Sequence, residues 1–95
     1  MIAFHEGTWY GHILKGHPEM RDTRRLVEEA IEVPSEIRFS RSDPDCRLYF
    51  RLSSRGNLYI MVVVDVTDRF VKTAHWARKI SGGRVEWSKT RPWKE

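Results

Sequence analysis

Polar and apolar residues alternate with a period of two through the middle of the chain and recur at helical spacing before it. Leu48, Phe50 and Leu52 alternate with Arg47, Tyr49 and Arg51, and Leu58, Ile60, Val62, Val64 and Val66 continue the rhythm. The pattern predicts antiparallel strands over 47–52, 58–66 and 70–77. The link from Ser53 to Asn57 carries a Gly-Asn pair, and Thr67, Asp68 and Arg69 close the second turn, so both links suit hairpins. If the strands pair in simple register, the apolar residues share the face that helices cover. Arg47, Tyr49, Arg51, Tyr59, Thr73 and His75 then share the other face, a collection of cations, aromatics, a hydroxyl and an imidazole.

Ahead of this sheet the spacing predicts two helices. Thr8 is a candidate N-cap for a short one, in which Trp9, Ile13 and Leu14 fall on one stripe before Gly16 ends it. His17 then precedes Pro18, a pair that breaks one helix and suits the start of the next segment. A second helix runs from Asp22 or Thr23 to Glu32, with Leu26, Val27, Ala30 and Ile31 as its buried stripe and Pro34 as its stop. Ile37 and Phe39 alternate within a first strand over 36–40, and Asp43-Pro44-Asp45 makes a turn. Val85 and Trp87 suggest a fifth strand over 84–87, at an edge. The expected class is α+β: two N-terminal helices packed on a four- to five-stranded antiparallel sheet, with a polar tail over 88–95.

The 95 residues suffice for one domain with a core over about 9–87, and no internal boundary is expected. With 40% hydrophobic and 32% charged residues, the composition is that of a globular chain. A net charge of +4 favours polyanions without demanding them. The single cysteine, Cys46, excludes an internal disulfide and a cysteine-based metal site. The first ten residues lack the pattern of a signal peptide, and the apolar run over 58–64 is too short to span a membrane. A soluble cytoplasmic protein is the expectation.

No pair of the histidines 5, 12, 17 and 75 has the spacing that sets two imidazoles on one metal from a helix, and Asp43, Asp45, Asp65 and Asp68 fall in turns or at a strand end. Any catalysis is therefore expected to need neither metal nor cofactor. Metal-free RNA cleavage requires a base for the 2'-hydroxyl, an acid for the leaving oxygen, and fixed cations or hydroxyls on the phosphate. His17, Arg51, Lys72, Thr73 and His75 supply those groups: imidazole titrates near neutrality and a guanidinium matches phosphate oxygens. Tyr49, Tyr59, Trp76 and Trp87 offer stacking surfaces for unpaired bases. Plainer uses exist for each. Thr73 and His75 are ordinary residues for an exposed strand face, Arg47 and Arg51 can pair with Asp65 or Glu36, and His17 can staple the helix junction. The residues alone do not separate an RNA-directed enzyme, an RNA-binding module and a partner-binding module that uses the edge at 36–40 or 84–87.

The order of short motifs adds a resemblance. Trp9, His12-Ile13, His17-Pro18-Glu19-Met20, the helix ending at Pro34, Ser42-Asp43-Pro44, Leu48-Tyr49-Phe50-Arg51, Tyr59 to Val64, Phe70 to His75 and Glu86-Trp87 follow one another over nearly the whole chain. Taken together they resemble the small phage- and mobile-element-borne nuclease-like domains of the barnase, EndoU, colicin and RelE-like superfamily. The resemblance implies a helical layer on a four-stranded antiparallel sheet and toxin-like, metal-independent endoribonuclease activity by internal transphosphorylation. It implies a site at His17, Arg51 and Thr73, with His75 standing where many relatives carry an aromatic residue after the Thr-Ala pair. The expected roles are His17 and His75 as base and acid, Arg51 as phosphate clamp and Thr73 as hydrogen-bond donor. Arg47, Tyr49, Tyr59, Lys72 and Trp87 are the expected RNA contacts. Expected partners are RNA, tRNA included, and an antidote protein; a homodimer through an edge strand stays open. Lys72 and Thr73 can serve one site only across a bulge.

Overall fold

The computed structural model describes residues 24–53 and 57–89: one helix, α1 (Arg24–Glu32), and five strands, β1 (Glu36–Phe39), β2 (Cys46–Leu52), β3 (Tyr59–Asp65), β4 (Phe70–Ala77) and β5 (Val85–Ser88). The class is α+β, with one antiparallel sheet in the order β4-β3-β2-β1-β5. The helix predicted from Thr8, and His17 with it, lie outside the described residues, so one helix is seen where two were expected. No helix among the described residues is long and apolar enough to cross a membrane.

The predicted stripe of α1 is the one that packs. Val27 and Ala30 are fully buried against Ile60, Val62, Val64, Val71 and Ala74, with Leu26 and Ile31 alongside. Pro34 has no N–H to continue the helix, and the chain is instead stitched to β2. Ser35 N donates to the Phe50 carbonyl at 2.6 Å, and Leu52 N donates to Ser35 Oγ at 3.1 Å. Arg24–Glu28 and Arg25–Glu29 ion pairs of 3.5 and 3.8 Å run along the wet face and add little at such exposure.

The register corrects the expected distribution of faces. Arg47 opposes Val64, Tyr49 opposes Val62 and Arg51 opposes Ile60, so odd positions of β2 share a face with even positions of β3. Pairing of Leu52 with Tyr59 encloses an even number of residues in the hairpin link, and that parity exchanges the faces. Thus Arg47, Tyr49 and Arg51 lie on the face covered by α1, while Leu48 and Phe50 lie on the other, with Tyr59, Met61 and Val63. The expected common face for Arg51, Thr73 and His75 does not form.

A second irregularity sets the phase of β4. Val64 pairs with Val71 but Val63 pairs with Thr73, which leaves Lys72 as an extra residue in a bulge. Without it, Val71, Thr73 and His75 would fall on one side. With it, Val71 and Ala74 enter the core under α1, and Thr73 and His75 turn to the opposite face.

β1 is also not the edge strand that its sequence allows. β5 returns to pair with it, Glu36 opposing Ser88 and Ile37 opposing Trp87, so β1 is interior and β5 lies beyond it. The approach is close at Gly83, whose N–H donates to the Phe39 carbonyl at 2.8 Å. A Cβ there would stand 2.7 Å from that same oxygen, which excludes any larger residue without backbone movement.

Candidate functional site

Arg51 is engaged by α1. Its Nη1 donates to the Val33 carbonyl at 2.7 Å, just past the helix C-terminus, and its Nε lies 3.9 Å from Glu29 Oε1. A cation at that end answers carbonyls the helix leaves without partners and complements the helix dipole. Arg51→Met is therefore expected to lower stability by about 1 kcal/mol, the hydrogen bond being partly solvated. Urea denaturation measures the cost, and an unchanged midpoint would mean that the contact with the helix end does not support the fold.

On the opposite face, Tyr59, Thr73 and His75 come together, all half-buried. Thr73 and His75 are two apart on β4, about 6–7 Å along the strand. Tyr59 opposes Ala77, so it is the diagonal neighbour of His75, at about 7–8 Å between Cα atoms. His75 Nδ1 lies 2.9 Å from the Trp76 carbonyl oxygen. A carbonyl can only accept, so Nδ1 is the donor in this contact. Met61 lies between this group and the middle of the sheet, opposite both His75 and Phe50.

Sequence reasoning did not single out two polar groups on the same face. Glu36 is 8% exposed and Ser88 4%, and they oppose each other across β1 and β5. Arg38 Nε holds Glu36 Oε2 at 2.6 Å and Arg38 Nη1 reaches the Gly83 carbonyl at 3.3 Å. The spacing of two along β1 sets Glu36 and Arg38 on one face, and the long-range pairing of β5 with β1 is what adds Ser88. Three strand spacings, about 14 Å, separate Glu36 from His75, too far for both to act on one phosphate.

The expected RNA contacts divide among three places. Tyr59 sits beside His75. Lys72, in the bulge, lies 3.6 Å from Asp43 Oδ2. The Asp43 carboxyl is held below the ordinary carboxylate range, first by the Asp45 N–H, then by the Cys46 thiol and Lys72; burial and that carboxylate push the Cys46 thiol up. Arg47, Tyr49 and Trp87 occupy the α1 face beyond the helix end. Arg47 donates through Nε to Glu86 Oε1 at 3.1 Å and through Nη1 to the Pro44 and Cys46 carbonyls, and its guanidinium stands 4.2 Å from the Phe39 ring centre. Arg84 stands 4.3 Å from the same ring. Tyr49 and Trp87 line an open groove of about 850 Å3 with Ile31, Pro34 and Ile37, and with Glu32, Glu86 and Lys89 among its charged groups. Among the described residues no cluster of three or more His, Cys, Asp or Glu could hold a metal.

Comparison of the chain with protein-family models, curated proteins and solved structures found no match.

Proposed function

We propose that the chain is a metal-independent endoribonuclease that works on the sheet face opposite α1, at Thr73 and His75. The observation that carries this reading is the Lys72 bulge, which turns Thr73 and His75 onto one face with Tyr59 while Val71 and Ala74 stay in the core. Bulges occur more often than chance beside reaction sites, where they re-aim side chains. The motif order that resembles the barnase, EndoU, colicin and RelE-like domains supports the same activity.

In this reaction a base takes the proton of the 2'-hydroxyl as O2' bonds to phosphorus. The bond from phosphorus to O5' breaks, and an acid gives its proton to the leaving oxygen. The products are a 2',3'-cyclic phosphate and a 5'-hydroxyl. His75, oriented by the Trp76 carbonyl at Nδ1, supplies the imidazole for one of these transfers, and His17 takes the other on the strength of the resemblance. The Thr73 hydroxyl donates to a phosphate oxygen, and Tyr59 gives a neighbouring base a ring to stack on. Arg51, on the α1 face, holds the helix and is assigned no contact with phosphate. Such an enzyme acts in the cytoplasm, where its RNA is, and an antidote protein covering the Thr73 and His75 face is the partner a toxic activity calls for.

The test is cleavage of total RNA and tRNA by the purified chain in EDTA, with analysis of the ends produced. Cleavage that survives chelation, leaves cyclic phosphate ends and falls by about tenfold or more in Thr73→Val is the expected result. Separation of Arg51 from Thr73 and His75 by the sheet itself favours a second reading, an RNA-binding module without a complete acid, base and clamp. That module predicts salt-sensitive RNA binding and no cleavage.

A further inference from the structure

Residues 78–84 join the end of β4 to the start of β5, and these two strands are the opposite edges of the sheet. The link leaves Ala77, which opposes Tyr59, and reaches Val85, which opposes Arg38, so it crosses a face. Gly82 marks the face: a Cβ there would stand 2.6 Å from Leu48 Cδ1, and Leu48 lies opposite α1. Leu48 and Thr73 both oppose Val63, which sets Gly82 about 10 Å across the sheet from β4 and about 13 Å along it from Ala77. Five residue steps reach at most about 18 Å, so the link has little slack and passes over Met61, beside His75. Its far end is held down, Arg41 Nε donating to the Gly82 carbonyl at 2.7 Å and Arg38 Nη1 to that of Gly83 at 3.3 Å. Ile80, within the link, is half-buried, and Phe50, on the face it crosses, is fully buried. The link is a strap over the reaction face.

The strap carries charge that the strands beneath it do not supply. Of the strand cations nearby, Arg38 answers Glu36 at 2.6 Å and Lys72 answers Asp43 at 3.6 Å. Arg78 and Lys79 are exposed, and no carboxylate among the described residues pairs with either. The carboxylates of this face are engaged away from them: Glu36 by Arg38, and Asp65, at the far end of β3, by the Asp68 N–H at 2.8 Å. Arg78 is three residues beyond His75 and Lys79 four, so their Cα atoms lie within about 14 Å of its own. We infer that Arg78 and Lys79 are the cations that bind RNA phosphate at this face, the part expected of Arg51, which the register sends under α1. The inference rests on the reading that RNA is worked on at Thr73 and His75. A guanidinium donates to phosphate oxygens in pairs and an ammonium adds a point charge, so two neighbouring phosphates are met by two different cations.

The experiment uses the full chain and a fluorescein-labelled oligouridylate methylated at every 2'-oxygen, which has no 2'-hydroxyl to attack and so reports binding apart from cleavage. Fluorescence anisotropy is expected to show affinity falling at least about tenfold in the double variant Arg78→Gln/Lys79→Gln. The slope of log Kd against log salt is expected to flatten by about 1.4, the share of two phosphate contacts on a single strand. Arg25→Gln/Lys89→Gln removes the same charge from α1 and from the groove at its end, and is expected to stay within about twofold of the unaltered chain. Cleavage of unmodified RNA is followed in parallel. No binding by the unaltered chain, equal losses in the two double variants, or no loss in Arg78→Gln/Lys79→Gln would each overturn the inference. Absence of cleavage with binding lost only in Arg78→Gln/Lys79→Gln would remove the reaction and uphold the two cations, so the two readings fail separately.

Discussion

Replacing His75 with alanine is expected to lower the rate of RNA cleavage by at least about a hundredfold, the scale usual for a lost acid or base. The reason is geometric. Nδ1 donates to the Trp76 carbonyl at 2.9 Å, which fixes the ring. The ring shares a face with Thr73 and Tyr59 because Lys72 is accommodated as a bulge. Single-turnover cleavage in EDTA separates the chemical step from RNA binding, and circular dichroism shows that the variant is folded. His75→Gln should lose as much rate as His75→Ala while binding RNA as the unaltered chain does, since an amide can hydrogen-bond but cannot exchange a proton near neutrality. Cleavage at an unchanged rate in both variants would remove His75 from the chemistry and leave the RNA-binding reading in front.

The largest loss of stability is expected from Phe50→Ala, about 3–5 kcal/mol. Phe50 is fully buried, yet it lies on the face opposite α1, where its cross-strand neighbours are Glu36 and Met61. Its ring meets that of Tyr59 edge-on, with centres 6.4 Å apart and planes at 86°. Such a pair adds about 0.5–1.5 kcal/mol beyond the area it buries. For a domain of ordinary stability this is about a fifth or more of the total. Leu52→Ala is the control: Leu52 is two residues along the same face but 51% exposed, and its loss should stay within about 0.5 kcal/mol. Urea denaturation of the two variants checks the pair. A cost below about 1 kcal/mol for Phe50 would mean that this face can close over the void, and its polar groups would then be poorly fixed for a reaction.

Much of the architecture is legible locally. The stripe Leu26, Val27, Ala30 and Ile31 marks a helix, Pro34 marks its end, and the alternation over 47–52 and 59–65 marks strands, because helix and strand periodicities are properties of the backbone itself. The edge position of β5 and the turn at Asp43 to Asp45 also follow from sequence. The candidate site was legible only in part. Thr73, His75 and Tyr59 share a face as expected, but Arg51 does not join them, and Glu36 and Ser88 are polar groups that the pattern gave no reason to bury.

What the sequence determined by itself is therefore which segments are helix or strand and which side chains alternate within each, since those depend on neighbours a few residues away. What only the tertiary structure decided is which faces coincide. An even-numbered link between β2 and β3 sends Arg51 under α1, and one extra residue in β4 sends Thr73 and His75 to the other side. In a sheet the side-chain period is two, so a single residue of register or bulge reverses a face, and its choice is set by how the whole core packs rather than by any local preference.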